Sequence, residues 1–154
     1  MKEHSVTGEL SIRRVAAHDF DAAAALLAEL GRPAITPETR AITEAIFLEH
    51  VADPRVGSLI AERNGAAVGL LTLHFRPRLN EPRLEAYVPD LIVTEREHGQ
   101  GVATELFQRA VELAREHQCH RLLLESGYQR LRAHRFYVRE GMTDAGKYFV
   151  IKLT

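Results

Sequence analysis

The residues best suited to chemistry form a glycine-containing stretch that follows a short apolar run. The apolar run is Leu91, Ile92 and Val93, and the stretch reads His98, Gly99, Gln100, Gly101, Val102, Ala103 and Thr104. Glycine permits backbone angles and close approaches that other residues forbid, and apolar residues recur at helical spacing from Val102 onward. A helix that begins there presents unpaired N–H groups and roughly half a positive charge to an anion. The stretch therefore predicts a phosphate or pyrophosphate site beside a buried strand.

Two motifs in the second half of the chain together resemble those of the GNAT acyltransferase superfamily, whose members bind acetyl-CoA. The family's loop, Gln/Arg-x-x-Gly-x-Gly/Ala, corresponds here to residues 98–103. Its second element, Ala-x-x-Phe-Tyr-x-x-x-Gly, is matched at Ala133, Phe136, Tyr137 and Gly141. The resemblance follows element order over nearly the whole chain and is sharpest from Leu91 to Met142. One departure is His98, which stands where the family usually has Arg or Gln.

The resemblance implies acetyl-CoA as a co-substrate. The backbone from His98 to Thr104 would hold its pyrophosphate, and Leu91 to Val93 would pair with the pantetheine arm as with a further strand. Such a loop binds mainly through backbone N–H groups, so His98 is compatible with binding, although it removes a permanent positive charge. We therefore expect Leu91, Ile92, Val93 and residues 98–104 to bind the cofactor.

Acetyl transfer from a thioester to an amine requires a neutral amine, a polarised carbonyl and a stabilised leaving thiolate. The resemblance implies direct transfer within a ternary complex, with Tyr137 protonating the thiolate as it leaves. Glu85 and Asp90 lie on the strand beside the expected thioester, and either is a candidate general base. Tyr87 is a candidate substrate contact, and solvent can take the proton where no dedicated base exists. The lone Cys119 falls in a predicted helix-to-strand turn away from the loop, which disfavours a cysteine nucleophile.

Composition places the chain among ordinary globular proteins. It has 154 residues, of which 45% are hydrophobic and 27% charged, enough for one domain over 1–154 with a substantial core. The formal net charge of -1 argues against a nucleic-acid partner. No apolar run is long enough to span a membrane, the N-terminus lacks a signal-peptide core, and a single cysteine excludes an internal disulfide. We expect a cytoplasmic protein with no membrane partner.

A short run of potential metal ligands stands apart from these motifs: His117, Gln118, Cys119 and His120. It is predicted to join a helix end to a strand, which would point the side chains in different directions. No second Cys/His cluster completes a tetrahedral ligand set. We therefore expect no metal site.

Two helices are predicted in the first third of the chain, after a strand from Glu9 to Arg14. Asp19 or Asp21 can cap the first helix, which runs to Leu30 before Gly31 and Pro33 end it. The signal Thr36-Pro37 opens the second helix. That helix is predicted to run to about Val51, with three apolar residues facing inward: Ile42, Ala45 and Ile46. In the family, this region helps to shape the acceptor pocket.

The middle of the chain predicts three strands and a loop that contains two prolines. The strands are Ser58–Arg63, Ala66–Phe75 and Arg83–Val93, and the loop is 76–82. Asn64-Gly65 is a strong signal for a two-residue hairpin between the first two strands. Pro89 removes a backbone donor from the third strand and predicts a bulge or local splay there.

The last part of the chain supplies a long helix from Val102, a buried strand at Arg121–Glu125, a helix at Gln129–Glu140 and a final strand at Tyr148–Leu153. Two buried strands joined by a helix form a right-handed parallel unit. A further short strand at Met142-Thr143 is an open alternative. The predicted fold is therefore an α/β domain with a mixed, mostly antiparallel sheet, flanked by about four helices. The sheet is splayed between strand four, at Arg83–Val93, and strand five, at Arg121–Glu125.

Several functional alternatives stay open at this point. A Rossmann-type dinucleotide enzyme is disfavoured, because the loop lacks the third small residue and too little chain follows it. A non-catalytic CoA-binding regulatory domain is a more serious alternative, as is an acetyltransferase that acts on a protein or a charged tRNA. Among acceptors, amino acids, aminoglycosides, polyamines and peptide N-termini all fit. The family often forms dimers, so a homodimer is also open.

Overall fold

The computed structural model describes residues 8–154. The chain divides into two compact units between Leu123 and Leu124. The first unit holds both sheets and three of the four α-helices found in the described residues, and the second unit holds the last helix. A single functional domain over 1–154 stays a prediction.

The first sheet contains four strands in the order β1, β2, β3 and β6, each antiparallel to its neighbours. Their bounds are Leu10–Arg14, Leu59–Arg63, Ala66–Leu71 and Leu91–Val93. The predicted hairpin between β2 and β3 is confirmed: Asn64 and Gly65 both have positive φ, at 53° and 75°, as a type I′ turn requires.

The second sheet contains β4 at His74–Arg78, β5 at Glu81–Tyr87 and β7 at Leu122–Leu123. β4 and β5 are antiparallel, whereas β5 and β7 are parallel. The predicted strand four is therefore divided into β5, which belongs to the second sheet, and β6, which belongs to the first. The chain changes sheets at 88–90, so the predicted mixed and splayed architecture is confirmed.

The first unit has three α-helices: α1 at Phe20–Glu29, α2 at Arg40–Ala52 and α3 at Val102–Glu116. α1 and α3 pack on the first sheet, whereas α2 packs mainly against the turn that precedes α1. Single turns of 3-10 helix precede α1 at Ala17–Asp19 and α3 at Glu95–Glu97. In the second unit, α4 spans Leu131–Arg139. The apolar stripe predicted for the long helix is confirmed in α3, which buries Val102, Leu106, Phe107, Ala110, Leu113 and Ala114.

Two adjacent residues of β3 show how α1 and α3 pack. Leu70 contacts the α1 residues Ala23 and Leu26 in one apolar cluster. On Gly69, a Cβ atom would lie 2.8 Å from a side-chain methyl of Leu106 and 3.3 Å from one of Val102. Successive residues of a strand point to opposite faces, so α1 and α3 cover opposite faces of the sheet. The absence of a side chain at Gly69 brings α3 close to the backbone of β3.

The inward face predicted for α2 is wrong. Ile42 and Ile46 are 67% and 60% exposed. The helix instead packs through Phe47, whose ring meets that of Phe20 edge-on at 5.4 Å, and through His50, which bonds Ser58. An aromatic contact and a polar contact thus fix the rotation of a helix whose apolar residues lie on more than one side. The helix begins at Arg40, after a turn in which Thr36 and Thr39 bond each other.

Two further segments differ from the sequence-based expectation. The predicted loop at 76–82 begins as a continuation of β4, with a register shift between Arg76 and Arg78 at the proline between them. In the second unit, neither Met142-Thr143 nor the predicted final strand at Tyr148–Leu153 forms a strand. Alternating apolar residues define a strand only where a neighbouring strand accepts its hydrogen bonds, and Phe149 and Ile151 are 85% and 83% exposed.

Candidate functional site

The point at which the chain passes from one sheet to the other is fixed by a reciprocal pair of contacts between Thr72 and Asp90. The N–H of Thr72 donates to the Asp90 carbonyl at 2.9 Å, and the N–H of Asp90 donates to the Thr72 Oγ1 atom at 2.9 Å. The Thr72 hydroxyl in turn donates to the Asp90 Oδ2 atom at 2.8 Å. Pro89, just before, has no N–H to continue a ladder. These contacts hold residues 88–90, the break between β5 and β6 that is called the bulge below, where Pro89 predicts a bulge or local splay.

Arg32, which follows α1, holds the same bulge from the other side. Its Nε atom donates to the Asp90 Oδ1 atom at 2.8 Å, and a terminal nitrogen donates to the Pro89 carbonyl at 3.0 Å. Both carboxylate oxygens of Asp90 therefore accept hydrogen bonds. These hydrogen bonds indicate that Asp90 stabilises the backbone of the bulge. The general-base role of Asp90 stays a prediction.

The strand β6 has one paired edge and one edge without a partner strand in the described sheets. It bonds to β3 through Leu91, Ile92 and Val93, and it is the last strand of the first sheet. β7 pairs only with β5 in the second sheet. An extended ligand with amide groups can add to the open edge of β6 by strand addition, which is the role predicted for these three residues.

Behind β6, the glycine loop leads into α3 as the sequence predicts. Gly99 and Gly101 both have φ of 81°, and Gly101 is the residue that precedes the first helical residue, Val102. No side chain caps that end of the helix, and a Cβ atom on either glycine would have no neighbour within 4 Å. The first turn of a helix has N–H groups without intrahelical partners. Residues 99–104 thus combine an uncapped helix N-terminus with open space in front of it, which suits a phosphate.

His98 turns back toward β6. Its Nε2 atom lies 3.0 Å from the Val93 carbonyl oxygen. Because a carbonyl oxygen only accepts hydrogen bonds, Nε2 must carry the hydrogen. His98 thus connects the loop to the strand with the open edge. Arg63 supports the same loop from β2, where its Nε atom donates to buried Glu97 at 3.1 Å.

Glu85, the other predicted base, is only 2% exposed and is surrounded by arginines. Arg76 donates to its Oε1 atom at 3.1 Å, Arg121 donates to Oε2 at 3.0 Å, and Arg78 lies 3.7 Å from Oε2. Burial raises the pKa of this carboxyl, but the hydrogen bonds and charges of Arg121 and Arg76 outweigh burial and hold the pKa below its ordinary value. A carboxylate held in this way is a weak base, and three guanidinium groups around one carboxylate leave the region positively charged.

A cleft of about 350 Å³ lies beside this cluster. Its lining includes Arg55 and Arg76, with Asp53, His74, Phe75, Pro77 and Tyr87. The guanidinium of Arg76 stacks 4.0 Å from the centroid of the Tyr87 ring, and Tyr87 lies directly opposite His74 in the β4–β5 ladder. Tyr87 is followed by the 88–90 bulge, so the cleft borders the splay.

Sequence reasoning missed a polar cluster that adjoins the cleft. The Nε2 atom of His50 lies 2.7 Å from the Ser58 Oγ atom, and the same hydroxyl oxygen accepts the Leu73 N–H at 3.0 Å. The His50 and His74 rings meet edge-on with 5.1 Å between centroids. Burial lowers the pKa of both imidazoles. The only sequence signal was the alternation of His74, Arg76 and Arg78, which would have shown a strand with a polar face.

Tyr137, the predicted acid, belongs to the second unit. It lies on α4 next to Phe136, with 5.6 Å between the ring centroids. Burial raises the pKa of the Tyr137 phenol above its ordinary value, and the positive charge of Arg130 opposes that rise. The phenol therefore holds its proton at neutral pH. Glu85 and Asp90, by contrast, lie in the first unit, Glu85 on β5 and Asp90 in the bulge.

The fold and the loop geometry define a class, and comparison with known proteins gives the same one. The model of the acetyltransferase (GNAT) family matches residues 22–142, and the chain belongs to that family. It is 31% identical over 130 residues to the aminoalkylphosphonate N-acetyltransferase of Salmonella typhimurium. The aligned residues cover 84% of this chain and 82% of that relative.

Solved structures show the same fold. A putative acetyltransferase from Agrobacterium tumefaciens is 25% identical with a TM-score of 0.82, covering 92% of this chain and 99% of that one. A transcriptional regulator from Bacillus halodurans has a TM-score of 0.87 at 23% identity, covering 94% and 100% of the two chains. An aminoglycoside N-acetyltransferase in complex with CoA has a TM-score of 0.82 at 15% identity, covering 95% of each chain.

The protein is thus an acetyl-CoA-dependent N-acetyltransferase, and the predictions of the family, the activity and the co-substrate are confirmed. No helix in the part of the chain that the structure describes is long and apolar enough to cross a membrane. Within residues 8–154, no group of three or more His, Cys, Asp or Glu side chains could hold a metal ion. The cytoplasmic location stays a prediction.

Proposed function

We propose that the protein acetylates the primary amine of a small molecule that also carries an acidic group, of the phosphonate type, by direct attack within a ternary complex with acetyl-CoA. The observation that carries this proposal is the cleft beside the splay, which is lined by Arg55 and Arg76 and borders the bulge where the thioester is expected. The relative from Salmonella typhimurium, named as an aminoalkylphosphonate N-acetyltransferase, supports the same acceptor class.

The charges of the cleft favour an anion on the acceptor. Arg76 is oriented by its bond to Glu85 and by its stacking on Tyr87, so its guanidinium is held in one place. A guanidinium group donates two parallel hydrogen bonds to two oxygens of a phosphonate or carboxylate. It therefore selects its ligand by geometry as well as by charge. Arg55 is exposed and lines the same cleft, where its positive charge offsets the negative charge of Asp53. An acid group near Arg76 would leave the amine free to point toward the bulge.

Acetyl-CoA would bind across β6 and the glycine loop. The open edge of Leu91–Val93 would accept the pantetheine amides, and the backbone of residues 98–104 would hold the pyrophosphate at the N-terminus of α3. Tyr137 would donate its proton to the leaving thiolate. Acetyl-CoA would supply the activated acyl group, and these residues would orient it.

The acceptor class is tested by initial rates with acetyl-CoA and a panel of amines at fixed pH. The panel contains 2-aminoethylphosphonate, β-alanine, n-propylamine, an aminoglycoside and a short peptide. We expect the phosphonate to give a kcat/KM at least tenfold above that of propylamine. Equal rates for the neutral amine, or preference for the peptide, would overturn the acceptor assignment. Binding of CoA without acetylation of any amine would instead favour the regulatory alternative.

The role of the cleft is tested separately with two arginine variants. Arg76→Gln should lose the preference for the phosphonate over propylamine, because the anion loses its fixed partner. Arg83→Gln is the matched control, since Arg83 lies on β5, bonds Glu81 and is not among the residues that line the cleft. Its preference should match that of the wild type. A homodimer stays a prediction, which sedimentation of the wild type would test.

A further inference from the structure

The cluster of His50, Ser58 and His74 is a group of polar side chains that the proposed function does not yet use. These residues come from α2, from the segment before β2 and from the first position of β4. Only His74 lines the cleft. The other two lie behind it, since Ser58 is 4% exposed and His50 is half-buried. The cluster therefore has one member that a ligand in the cleft can reach.

Ser58 gives the cluster a contact that suits either charge state of His50. The Leu73 N–H donates to the Ser58 Oγ atom at 3.0 Å, which leaves the hydroxyl with its own hydrogen and a second lone pair. At 2.7 Å from the His50 Nε2 atom, the hydroxyl can donate to a neutral imidazole or accept from a protonated one. The position of His50 is thus held through a change of protonation.

His74 lies close in the chain and in the sheet to the 88–90 bulge. It pairs with Tyr87, the last residue of β5, and stands two residues after Thr72, which bonds Asp90 in the bulge. Tyr87 and Asp90 are three residues apart, so their Cα atoms lie within about 11 Å of each other. His74 and Arg76 line the same cleft, so an acceptor whose acidic group binds Arg76 would bring its amine into reach of His74.

The charges around His74 favour a neutral ring that can gain a proton. Burial is the main cause that lowers its pKa below the ordinary value, and Arg76 on the same strand adds to this, while Asp53 and Asp90 oppose it. Burial and then the charge of His74 lower the pKa of His50, while Asp53 and Asp90 again oppose the effect. Arg55 and Tyr87 complete the cleft around the ring. The imidazole is therefore unprotonated at neutral pH, with two carboxylates near enough to stabilise the cation once it forms.

We propose that His74 is the general base that takes the proton of the acceptor amine, with His50 and Ser58 as positioning residues that hold its ring. This inference rests on the proposed function. The amine nitrogen forms a bond to the thioester carbonyl carbon, and a proton on that nitrogen passes to a ring nitrogen of His74. The carbon–sulfur bond breaks, and the sulfur leaves with its electron pair and takes a proton from an acid, for which Tyr137 is proposed. His74 then returns its proton to solvent through the cleft, and the Tyr137 phenolate regains a proton from solvent.

The test is a pH profile of kcat for the wild type, His74→Gln and His18→Gln, with the best acceptor of the panel. In the wild type, kcat should fall as the pH falls, because a protonated His74 cannot take the proton of the amine. His74→Gln should lose about a hundredfold in kcat, within the range of general-base catalysis, and should lose that acid limb. His18→Gln, which alters a side chain that is 75% exposed, should match the wild type.

Two further measurements keep folding and base catalysis apart. Melting temperature and acetyl-CoA affinity of His74→Gln should match those of the wild type. Added imidazole should raise the kcat of His74→Ala at least tenfold, because a small base can enter the vacated space. If His74 had a purely structural role, imidazole would not raise kcat. His50→Gln should retain the acid limb and lose less turnover than His74→Gln, because it positions the base without accepting the proton.

The outcomes separate this inference from the proposed function. If the wild type acetylates the phosphonate while a folded His74→Gln protein keeps kcat within threefold, or keeps the acid limb, His74 is not the base and the proposed function still holds. If the wild type acetylates no amine, the proposed function fails and the role of His74 fails with it.

Discussion

The Nε atom of Arg32 lies 2.8 Å from the Oδ1 atom of Asp90 and donates a hydrogen bond to it. This contact joins the segment after α1 to the bulge at which the chain leaves the second sheet for the first. Since both the open edge of β6 and the cleft adjoin this bulge, the contact should influence the geometry of both ligands without touching either of them.

Arg32→Ala should therefore reduce kcat/KM by about tenfold, because small displacements of reacting groups have large effects on rate. Its effect on stability should be small, since Arg32 is 50% exposed and an ion pair open to solvent is worth about 0.2–1 kcal/mol. Steady-state kinetics and urea unfolding on the same preparation would measure both. Arg40→Ala is the matched control, because Arg40 bonds Asp21 at the same 2.8 Å and is similarly exposed at 52%. Identical kinetics for the two variants would show that Arg32 does not position the bulge.

Gly101→Ala should weaken CoA binding at least tenfold. The added methyl enters the open space before α3, where the pyrophosphate is proposed to lie, and the positive φ of 81° adds strain of roughly 1–2 kcal/mol. Gly65→Ala controls for the strain, since Gly65 has φ of 75° in the β2–β3 hairpin. Calorimetry with CoA and a melting curve for each variant would separate the two effects. Equal CoA affinity in both variants would refute the placement of the pyrophosphate.

Tyr137→Phe should reduce kcat about a hundredfold, the lower end of general-acid catalysis, and leave acetyl-CoA affinity unchanged. Because burial raises the pKa of the phenol above 10, its donor form persists throughout the neutral range. Any alkaline limb that it causes should therefore appear above pH 10. Tyr128→Phe is a suitable control, as Tyr128 is 77% exposed in the same unit. A Tyr137→Phe protein with near-normal turnover but a lower melting temperature would make the tyrosine a structural residue.

Asp19 should contribute to stability in a way that depends on pH. Its buried carboxylate accepts two hydrogen bonds from Arg13, at 2.7 and 2.8 Å, and one from the Ala16 N–H, at 2.7 Å. The bonds from Arg13 are the main cause that lowers its pKa below 3.8. A carboxyl with a depressed folded-state pKa stabilises above the unfolded value and loses this contribution as pH falls through the folded value.

Asp19→Asn should therefore lower the free energy of unfolding by about 2 kcal/mol at pH 7, a value typical of hydrogen bonds to charged groups. The difference from the wild type should shrink as pH falls below 3.8. Urea unfolding of both proteins at neutral and acid pH would measure it. Asp21→Asn, at a carboxylate that is 80% exposed, should change stability much less at every pH. A difference between wild type and Asp19→Asn that is constant with pH would exclude the ionic origin.

The sequence was most informative where local geometry decides the structure. Gly99 and Gly101 predict a turn that only positive φ allows, and α3 begins at the residue after Gly101. Asn64-Gly65 predicts a hairpin for the same reason. Pro89 lacks the N–H that a ladder needs, so it predicts the break between β5 and β6. Each of these signals depends on a few neighbouring residues, and the rest of the fold does not need to be known.

Features that depend on distant contacts were not predictable in the same way. The cluster of His50, Ser58 and His74 is assembled from an α-helix and two sheet segments, and no spacing along the chain marks it. The wrong face predicted for α2 has the same origin, since Phe47 faces inward because it packs against Phe20, which is distant in the sequence. From the sequence, Glu85 is similarly predicted to be a free carboxylate, whereas in the structure it accepts hydrogen bonds from Arg76 and Arg121.

The close approach of α3 to the sheet at Gly69 has a consequence for how large a ligand the site can span. Gly69 pairs with Val93 of β6, and its open side faces Val102 and Leu106 of α3. One residue thus sets the height of the helix above the strand, and with it the separation between the N-terminus of α3 and the open edge of β6. A side chain there would move apart the helix N-terminus and the strand edge, the two elements that are proposed to bind acetyl-CoA, from a position inside the core. The distance between those elements depends on the absence of a single methyl group in the core.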